Sequence, residues 1–127
     1  MTTVRPVPRI IVVEDEAIIA CDLRERLQGL GYQVPAMAAS GEDAVAAARK
    51  HRPDLVLMDI GLRGMDGITA GDIINRELHI PIFFMSAYSK TSMEAGLAKI
   101  PDHGYLGKPM GDYELKTAVG LALAGTG

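Results

Sequence analysis

Asp59 is the residue of this sequence that most needs a chemical explanation. It follows an apolar run, Leu55 to Met58, that is typical of a buried strand, and a glycine-rich stretch comes next. A carboxylate that is half-buried where a strand enters a loop costs free energy unless a partner binds it. Taken alone, this pattern leaves two interpretations open: an acid that caps a turn, or an acid that binds or reacts.

Chemically useful side chains also follow other apolar runs. Glu14 and Asp15 come directly after the first run, Ser86 follows the fourth and Lys108 follows the fifth. If these runs are parallel strands of one sheet, their carboxyl ends lie at one edge, where ligands of open α/β folds bind. We therefore expect the acids, the hydroxyl and the ammonium to meet Asp59 in one crevice.

The chemistry of this set is that of a cation and a phosphoryl group. Glu14, Asp15 and Asp59 repel one another unless a positive charge lies among them, and a few carboxylates with open positions for water suit Mg²⁺. The cation, Lys108 and the Ser86 hydroxyl could together hold phosphoryl oxygens while charge develops. A carboxylate can accept that group as an acyl phosphate. The pattern therefore predicts magnesium-dependent phosphoryl transfer to Asp59.

An alternation of five strands and five helices is predicted to position these residues. Apolar runs predict strands at about 10–13, 32–37, 54–58, 80–85 and 104–107, and helical spacing follows each of them. Short connections favour a parallel sheet with helices on both faces, and Pro35 indicates an edge position for the second strand. We expect one α/β domain over 9–124, a three-layer sandwich, with flexible tails at 1–8 and 125–127.

Several residues near the helix ends carry their own predictions. Ser40, Asp66 and Asp112 are predicted to cap the second, third and fifth helices. Glu16 is expected to point outward in the first turn of the first helix, where a negative charge suits the helix dipole. Cys21, the only cysteine, is interpreted as a buried apolar residue of that helix. No disulfide within the chain and no cysteine-based metal site can form.

The composition is typical of a soluble globular protein. Of 127 residues, 48% are hydrophobic and 23% charged, and the net charge of -3 offers no basic surface for nucleic acid. No apolar run approaches the roughly 18 residues of a membrane span, and the first nine residues lack a signal-peptide core. A cytoplasmic protein that neither spans a membrane nor binds nucleic acid directly is expected.

The chain resembles the receiver domain of two-component response regulators, from about Arg9 to Leu123. The matching segments, in order, are Val12-Val-Glu-Asp-Glu16, Leu57-Met-Asp59, Met65-Asp-Gly67, Met85-Ser-Ala87 and Gly104-Tyr-Leu-Gly-Lys-Pro109. The resemblance implies a flavodoxin-like (βα)5 fold with strand order 2-1-3-4-5. It also implies a cis peptide bond before Pro109.

The resemblance implies a role for each matching site residue. Asp59 would be the phosphoacceptor, and Glu14 and Asp15 the acid pair that binds Mg²⁺. The backbone carbonyl of Gly61 would be a further metal ligand. Lys108 would pair with the phosphoryl group.

The resemblance also implies a switch and partners. Ser86 would move toward the phosphoryl group, and Tyr105 would change rotamer with it. The surface near Lys90 to Ala95 and Met110 to Lys116 would then change for an unknown downstream protein or output domain. The donor would be a histidine kinase or a phosphotransfer protein, and the receiver would promote its own phosphorylation and dephosphorylation without being a conventional enzyme.

Three positions depart from the family pattern. Arg63 stands where proline is common, so the loop after Asp59 is expected to be more mobile. Gly61 has no side chain that could touch the phosphoryl group or an attacking water, and Tyr88 is bulky enough to restrict the access of water to the site. Slow self-dephosphorylation is therefore expected.

Two other functions remain open. A phosphohydrolase that works through an aspartyl phosphate would share Asp59, although such haloacid-dehalogenase-like enzymes have a second aspartate two residues later, where this chain has Gly61. A phosphorylation-independent docking module would need none of these side chains.

Overall fold

Five strands and five helices alternate in the computed structural model, which describes residues 7–62, 65–87, 94–101 and 103–124. Hydrogen bonds join the strands into one parallel sheet in the order β2-β1-β3-β4-β5. The strands are β1 (Ile10–Val13), β2 (Met37–Ala38), β3 (Leu55–Asp59), β4 (Ile82–Ser86) and β5 (His103–Gly107). The helices are α1 (Ala17–Gly29), α2 (Gly41–His51), α3 (Gly67–Leu78), α4 (Glu94–Leu97) and α5 (Asp112–Ala124). The predicted fold class and strand order are confirmed.

Helices cover both faces of the sheet. One apolar cluster joins the sheet to α2, α3 and α4, and a second joins the opposite face to α1 and α5. The central strands β1, β3 and β4 are buried along their whole lengths, as expected of strands that contact helices on both sides. Along the parts of the chain described, no helix combines the length and the apolar character that crossing a membrane requires.

The register of the sheet brings the strand ends together. Val13 pairs with Met58, so the residue after β1 lies beside Asp59. Asp59 in turn pairs with Met85, one residue before the end of β4. All strands run in the same direction, and the polar ends predicted from the sequence therefore share one edge of the sheet.

Some predicted strand bounds need correction. The second strand is only two residues long and begins at Met37, the last residue of the predicted range 32–37, although its edge position is confirmed. Asp59 and Ser86 belong to their strands as last residues rather than following them. Ladder hydrogen bonds come from the backbone, so a polar side chain at a strand end does not stop the pairing. Pro8 was expected to belong to a flexible N-terminal tail, but its backbone is bound: its carbonyl accepts a hydrogen bond from the N–H of Gln33 (3.0 Å).

The predicted caps of α2 and α3 are confirmed. The Ser40 hydroxyl accepts from the N–H of Asp43, and the Asp66 carboxylate accepts from the N–H of Thr69. The prediction for Asp112 is wrong, because Asp112 is the first residue of α5.

At α5 the cap is formed differently. The Gly111 carbonyl accepts the first helical hydrogen bond, from Leu115 N–H, and the Glu114 side chain accepts from Gly111 N–H.

The prediction for Cys21 is also wrong, because its side chain is only partly buried, on the outer side of α1. Glu16 is exposed at the start of α1, as expected.

Candidate functional site

Three carboxylates lie together at the carboxyl edge of the sheet. Glu14, Asp15 and Asp59 each offer an oxygen within 4.8 Å of the others. Glu14 and Asp59 are buried, at 2% and 7% exposure, and Asp15 is partly exposed. The sequence prediction that β1 and β3 bring their acids together is confirmed, because the register places these strands side by side.

Asp59 is held from two sides. Its Oδ1 accepts a hydrogen bond from the N–H of Gly61 (3.2 Å), and its Oδ2 lies 3.3 Å from Nζ of Lys108. The backbone after it is also bound, because the N–H of Ile60 donates to the Met85 carbonyl (3.0 Å). A buried carboxylate with such partners is oriented before any ligand arrives.

Glu14 uses both of its oxygens within the protein. Oε1 accepts from Nζ of Lys108 at 2.6 Å, and Oε2 accepts from the N–H of Glu16 at 3.1 Å. Its own N–H donates to the carbonyl of Ala38 on β2. Glu14 therefore connects the lysine to the beginning of α1, in addition to its place in the acidic cluster.

Lys108 enters the site from the end of β5. Its side chain is 20% exposed, and its ammonium lies between Glu14 and Asp59. Partial burial alone would lower the pKa of Lys108, but the hydrogen bond that its ammonium donates to Glu14 and the negative charges of Asp59 and Glu14 outweigh that effect, and the pKa is raised above 10.5. The expected cis peptide bond between Lys108 and Pro109 is present.

Ser86 and Tyr105 lie on the same face of the sheet. Ser86 is buried at the end of β4, and its carbonyl accepts from the N–H of Lys108 (2.8 Å). Tyr105 pairs with Phe84, two residues before Ser86, and side chains two apart on a strand point the same way. Tyr105 is half-buried against the cluster formed with α2, α3 and α4. The Ser86 hydroxyl and the Tyr105 ring thus lie along the same face of the sheet, the face that α2, α3 and α4 cover.

Some expectations concern residues outside the described ranges. Arg63, Tyr88 and most of the segment from Lys90 to Ala95 belong to this group. At Gly61 the described contact is its N–H to Asp59. The metal-ligand role of the Gly61 carbonyl remains a prediction.

Sequence reasoning missed the contacts of two residues with the segments that carry Asp59 and Lys108. A Cβ on Gly67 would overlap the carbonyl oxygen of Asp59 and lie 2.9 Å from its carbonyl carbon, so α3 begins directly against the reactive residue. In the sequence this glycine belongs to the matching segment Met65-Asp-Gly67, but no contact with Asp59 is predicted for it. Arg26 of α1 donates to the carbonyl of Met110 and contacts Asp112. Those partners are 84 and 86 residues away, and no local pattern indicates them.

The donor set is suited to a hard cation. Carboxylate oxygens are preferred ligands of Mg²⁺, and Asp15 and Asp59 offer them near a partly open edge. Beside them, Lys108 supplies a fixed positive charge. An arrangement of this kind can bind a dianionic group next to a buried carboxylate and neutralise its charge.

Comparison with known proteins agrees with this geometry. A family model described as response regulator receiver domain matches residues 10–120. The chain is 35% identical over 116 residues to the transcriptional regulatory protein PdtaR of Mycobacterium tuberculosis, an alignment that covers 91% of this chain and 57% of that protein. The chain thus spans little more than half the length of this relative.

Solved structures give the same result. The signal receiver domain of a modulated diguanylate cyclase from Desulfovibrio desulfuricans G20 superposes with a TM-score of 0.86 and 31% identity, covering 94% of this chain and 95% of that one. The receiver domain of the sensor histidine kinase PA1611 from Pseudomonas aeruginosa PAO1 superposes with a TM-score of 0.82 and 28% identity, covering 93% and 98%. That structure is described with a magnesium ion coordinated in the active site cleft.

Proposed function

Because the chain belongs to the response regulator receiver domain family, we propose that it accepts a phosphoryl group on Asp59 from a phosphohistidine of a histidine kinase or phosphotransfer protein. One observation carries the proposal. The carboxylate of Asp59 is buried at the end of β3 between a backbone N–H and the ammonium of Lys108, with two further acids within reach.

The transfer itself needs positioning and charge neutralisation more than acid–base chemistry. A bond forms between a carboxylate oxygen of Asp59 and phosphorus, while the bond from phosphorus to the donor imidazole nitrogen breaks. That bond's electron pair stays on the ring nitrogen, which takes up a proton. Lys108 is placed to attract the phosphoryl oxygens, since its ammonium already lies 3.3 Å from Asp59 Oδ2.

The residues at the site fit Mg²⁺. Asp15 and Asp59 would hold the ion, with Glu14 and the carbonyl of Gly61 as further oxygen donors. When bound, the ion would neutralise charge on the phosphoryl oxygens. Glu14 already accepts from Lys108 and from the N–H of Glu16, so its first task is to orient the lysine.

Phosphorylation would act as a switch through Ser86 and Tyr105. The Ser86 hydroxyl would move toward the phosphoryl group and leave space that the ring of Tyr105 enters, on the face that the two side chains share. The surface around Met110 to Lys116 would change with them and bind a downstream protein or output domain. Such a shift needs only a few kcal/mol of differential contact. We place this signalling reaction in the cytoplasm.

The test is phosphorylation by a small donor. The protein is incubated with acetyl phosphate and Mg²⁺, and its intact mass is measured over time, with Asp59→Asn as the control. A stoichiometric adduct of one phosphoryl group that Asp59→Asn lacks is expected. Sustained phosphate release over many turnovers would instead favour a phosphohydrolase, for which the chain lacks a carboxylate at Gly61.

Absence of both adduct and turnover would contradict the proposal and leave a docking module. A histidine kinase tests the physiological part of the proposal. Transfer from a phosphorylated kinase domain to the wild-type chain, and not to Asp59→Asn, is the expected result.

A further inference from the structure

Arg26 links α1 to the loop that carries Lys108. Its NH2 group donates to the carbonyl of Met110 at 2.9 Å, and its Nε donates to Oδ1 of Asp112 at 2.8 Å. A weaker contact reaches Asp22 one turn earlier on the same helix (3.6 Å). The guanidinium thus holds a backbone carbonyl and a carboxylate on opposite sides of Gly111, a geometry that one planar group with several N–H donors can satisfy.

The loop is consequently fixed on both sides of the lysine side chain. At its start, the N–H of Lys108 donates to the carbonyl of Ser86 (2.8 Å). Two residues later, the carbonyl of Met110 is bound by Arg26. Only Pro109 lies between these two attachments, so the direction in which the Lys108 side chain leaves the backbone depends on both.

The Arg26 contacts matter more for geometry than for stability. Asp112 is 87% exposed, and an ion pair with such a partner contributes little free energy. The hydrogen bond to Met110 is different, because Met110 is buried and Arg26 itself is only 21% exposed. It joins this partly buried guanidinium to the backbone of the loop after Lys108.

Lys108 needs such control because its task is sensitive to distance. Its ammonium lies 2.6 Å from Glu14 and 3.3 Å from Asp59, both within the buried end of the site. A shift of about 1 Å in a group that meets a reacting centre can cost a large factor in rate. We therefore propose that Arg26 is a positioning residue for Lys108, an inference that rests on the proposed function of Lys108 in binding the phosphoryl group.

The first experiment reads Lys108 directly in the unphosphorylated protein. Nitrogen-15 NMR of the Lys108 side-chain ammonium, assigned by its loss in Lys108→Met, is compared among the wild type, Arg26→Met and Arg49→Met. Methionine keeps an aliphatic stem and removes every N–H donor. Arg49 is a matched control, because it forms a bidentate pair with Glu77 between α2 and α3, on the other face of the sheet.

We expect the Lys108 ammonium signal to shift in Arg26→Met and to stay at the wild-type position in Arg49→Met. Partial return toward the wild-type position in Arg26→Lys is expected, since one cationic donor can still reach the loop. A wild-type signal in folded Arg26→Met, or an equal shift in Arg49→Met, would overturn the inference. If Arg26→Met does not fold, Arg26→Lys against Arg49→Lys provides the same comparison.

The second experiment measures phosphorylation by acetyl phosphate with Mg²⁺. The rate is expected to fall about tenfold in Arg26→Met and to remain unchanged in Arg49→Met. An unchanged rate in Arg26→Met would overturn the inference even if the protein is less stable. If the wild type itself forms no adduct at Asp59, the proposed function fails, whereas the NMR comparison still decides whether Arg26 positions Lys108.

Discussion

The ammonium of Lys108 contacts the carboxylate of Glu14 at 2.6 Å, across 94 residues of sequence, and only 1% of the Glu14 side chain is exposed. The same ammonium reaches Asp59 at 3.3 Å. One positive charge thus serves two buried acids that would otherwise repel each other. This relationship makes Lys108 a structural residue of the site before any phosphoryl group is bound.

A first prediction concerns alkaline pH. The pKa of Lys108 in the folded protein is raised above 10.5, its value in an unfolded chain, despite partial burial. The folded state therefore keeps a proton that the unfolded state has released, and the stabilisation is complete below pH 10.5 and is lost as pH rises through the raised pKa. We expect the unfolding free energy to fall more steeply above pH 10.5 in the wild type than in Lys108→Met.

Urea denaturation between pH 7 and pH 12 measures this difference. Lys116→Met is the matched control, because Lys116 is an exposed lysine of α5. Above pH 10.5 the unfolding free energy of Lys116→Met should fall as steeply with pH as that of the wild type. Identical slopes for the wild type and Lys108→Met would show that the buried contacts do not hold the proton.

A second prediction concerns Mg²⁺. An ion that binds only the folded protein raises the unfolding free energy by about 2.7 kcal/mol when its concentration is a hundred times Kd. Asp15→Asn should remove most of this stabilisation by Mg²⁺, because Asp15 is the most accessible of the three acids in the cluster. Glu16→Gln, the exposed neighbour, should keep it.

Thermal or urea unfolding with and without Mg²⁺ provides the measurement. Equal stabilisation of Asp15→Asn and the wild type would place the ion elsewhere. The readout does not depend on phosphorylation, so it tests the metal site alone.

A third prediction concerns the first residue of α3. In Gly67→Ala, the new Cβ would overlap the backbone of Asp59, which cannot move without shifting the strand. We expect a loss of stability of about 1–3 kcal/mol and slower phosphorylation. In Gly120→Ala the Cβ meets no atom within 4 Å, and a gain of about 0.5–1 kcal/mol is expected in the helix interior. Similar stability of the two variants would contradict this assignment.

A fourth prediction concerns the phosphoryl lifetime and rests on the proposed function. A Cβ at Gly61 would lie 3.9 Å from Oδ1 of Asp59, in ordinary contact, so a longer polar side chain there could touch a water near the phosphoryl group. We expect Gly61→Asn to shorten the lifetime about three- to tenfold through better orientation of that water. Gly61→Ala, which adds volume without a polar group, should change it little.

Decay of the adduct followed by intact mass provides the lifetimes. Tyr88→Ala is expected to shorten the lifetime as well, by admitting water. If the lifetime in Gly61→Asn equals that of the wild type, the absence of a side chain at Gly61 does not slow the decay. If the lifetime in Tyr88→Ala equals that of the wild type, Tyr88 does not restrict the access of water.

Much of the fold and the site could be predicted because the signals are local. Apolar runs alternate with helical spacing along the chain, and short connections make the strands parallel. Because parallel strands have their carboxyl ends at one edge of the sheet, the sequence predicts that the polar residues at those ends meet there: Asp15, Asp59, Ser86 and Lys108. The bounds of β2 and the exposure of Cys21 were predicted wrongly, because each depends on which neighbouring element pairs with or covers the residue. The place of Asp112 was predicted wrongly because Gly111 and Glu114 form the cap of α5 instead.

The order of apolar runs and polar residues along the sequence shows which side chains stand at the strand ends. It therefore shows which carboxylates, hydroxyl and lysine are available for chemistry. The packed fold, and no local pattern, shows that Glu14 and Asp59 share the ammonium of Lys108. It also shows that Gly67 packs on the backbone of Asp59 and that Arg26 donates to the loop after Lys108. Distance along the chain explains the difference: a strand end is encoded within a few residues, whereas a contact between residues 84 or 94 apart exists only once the helices and the sheet have packed.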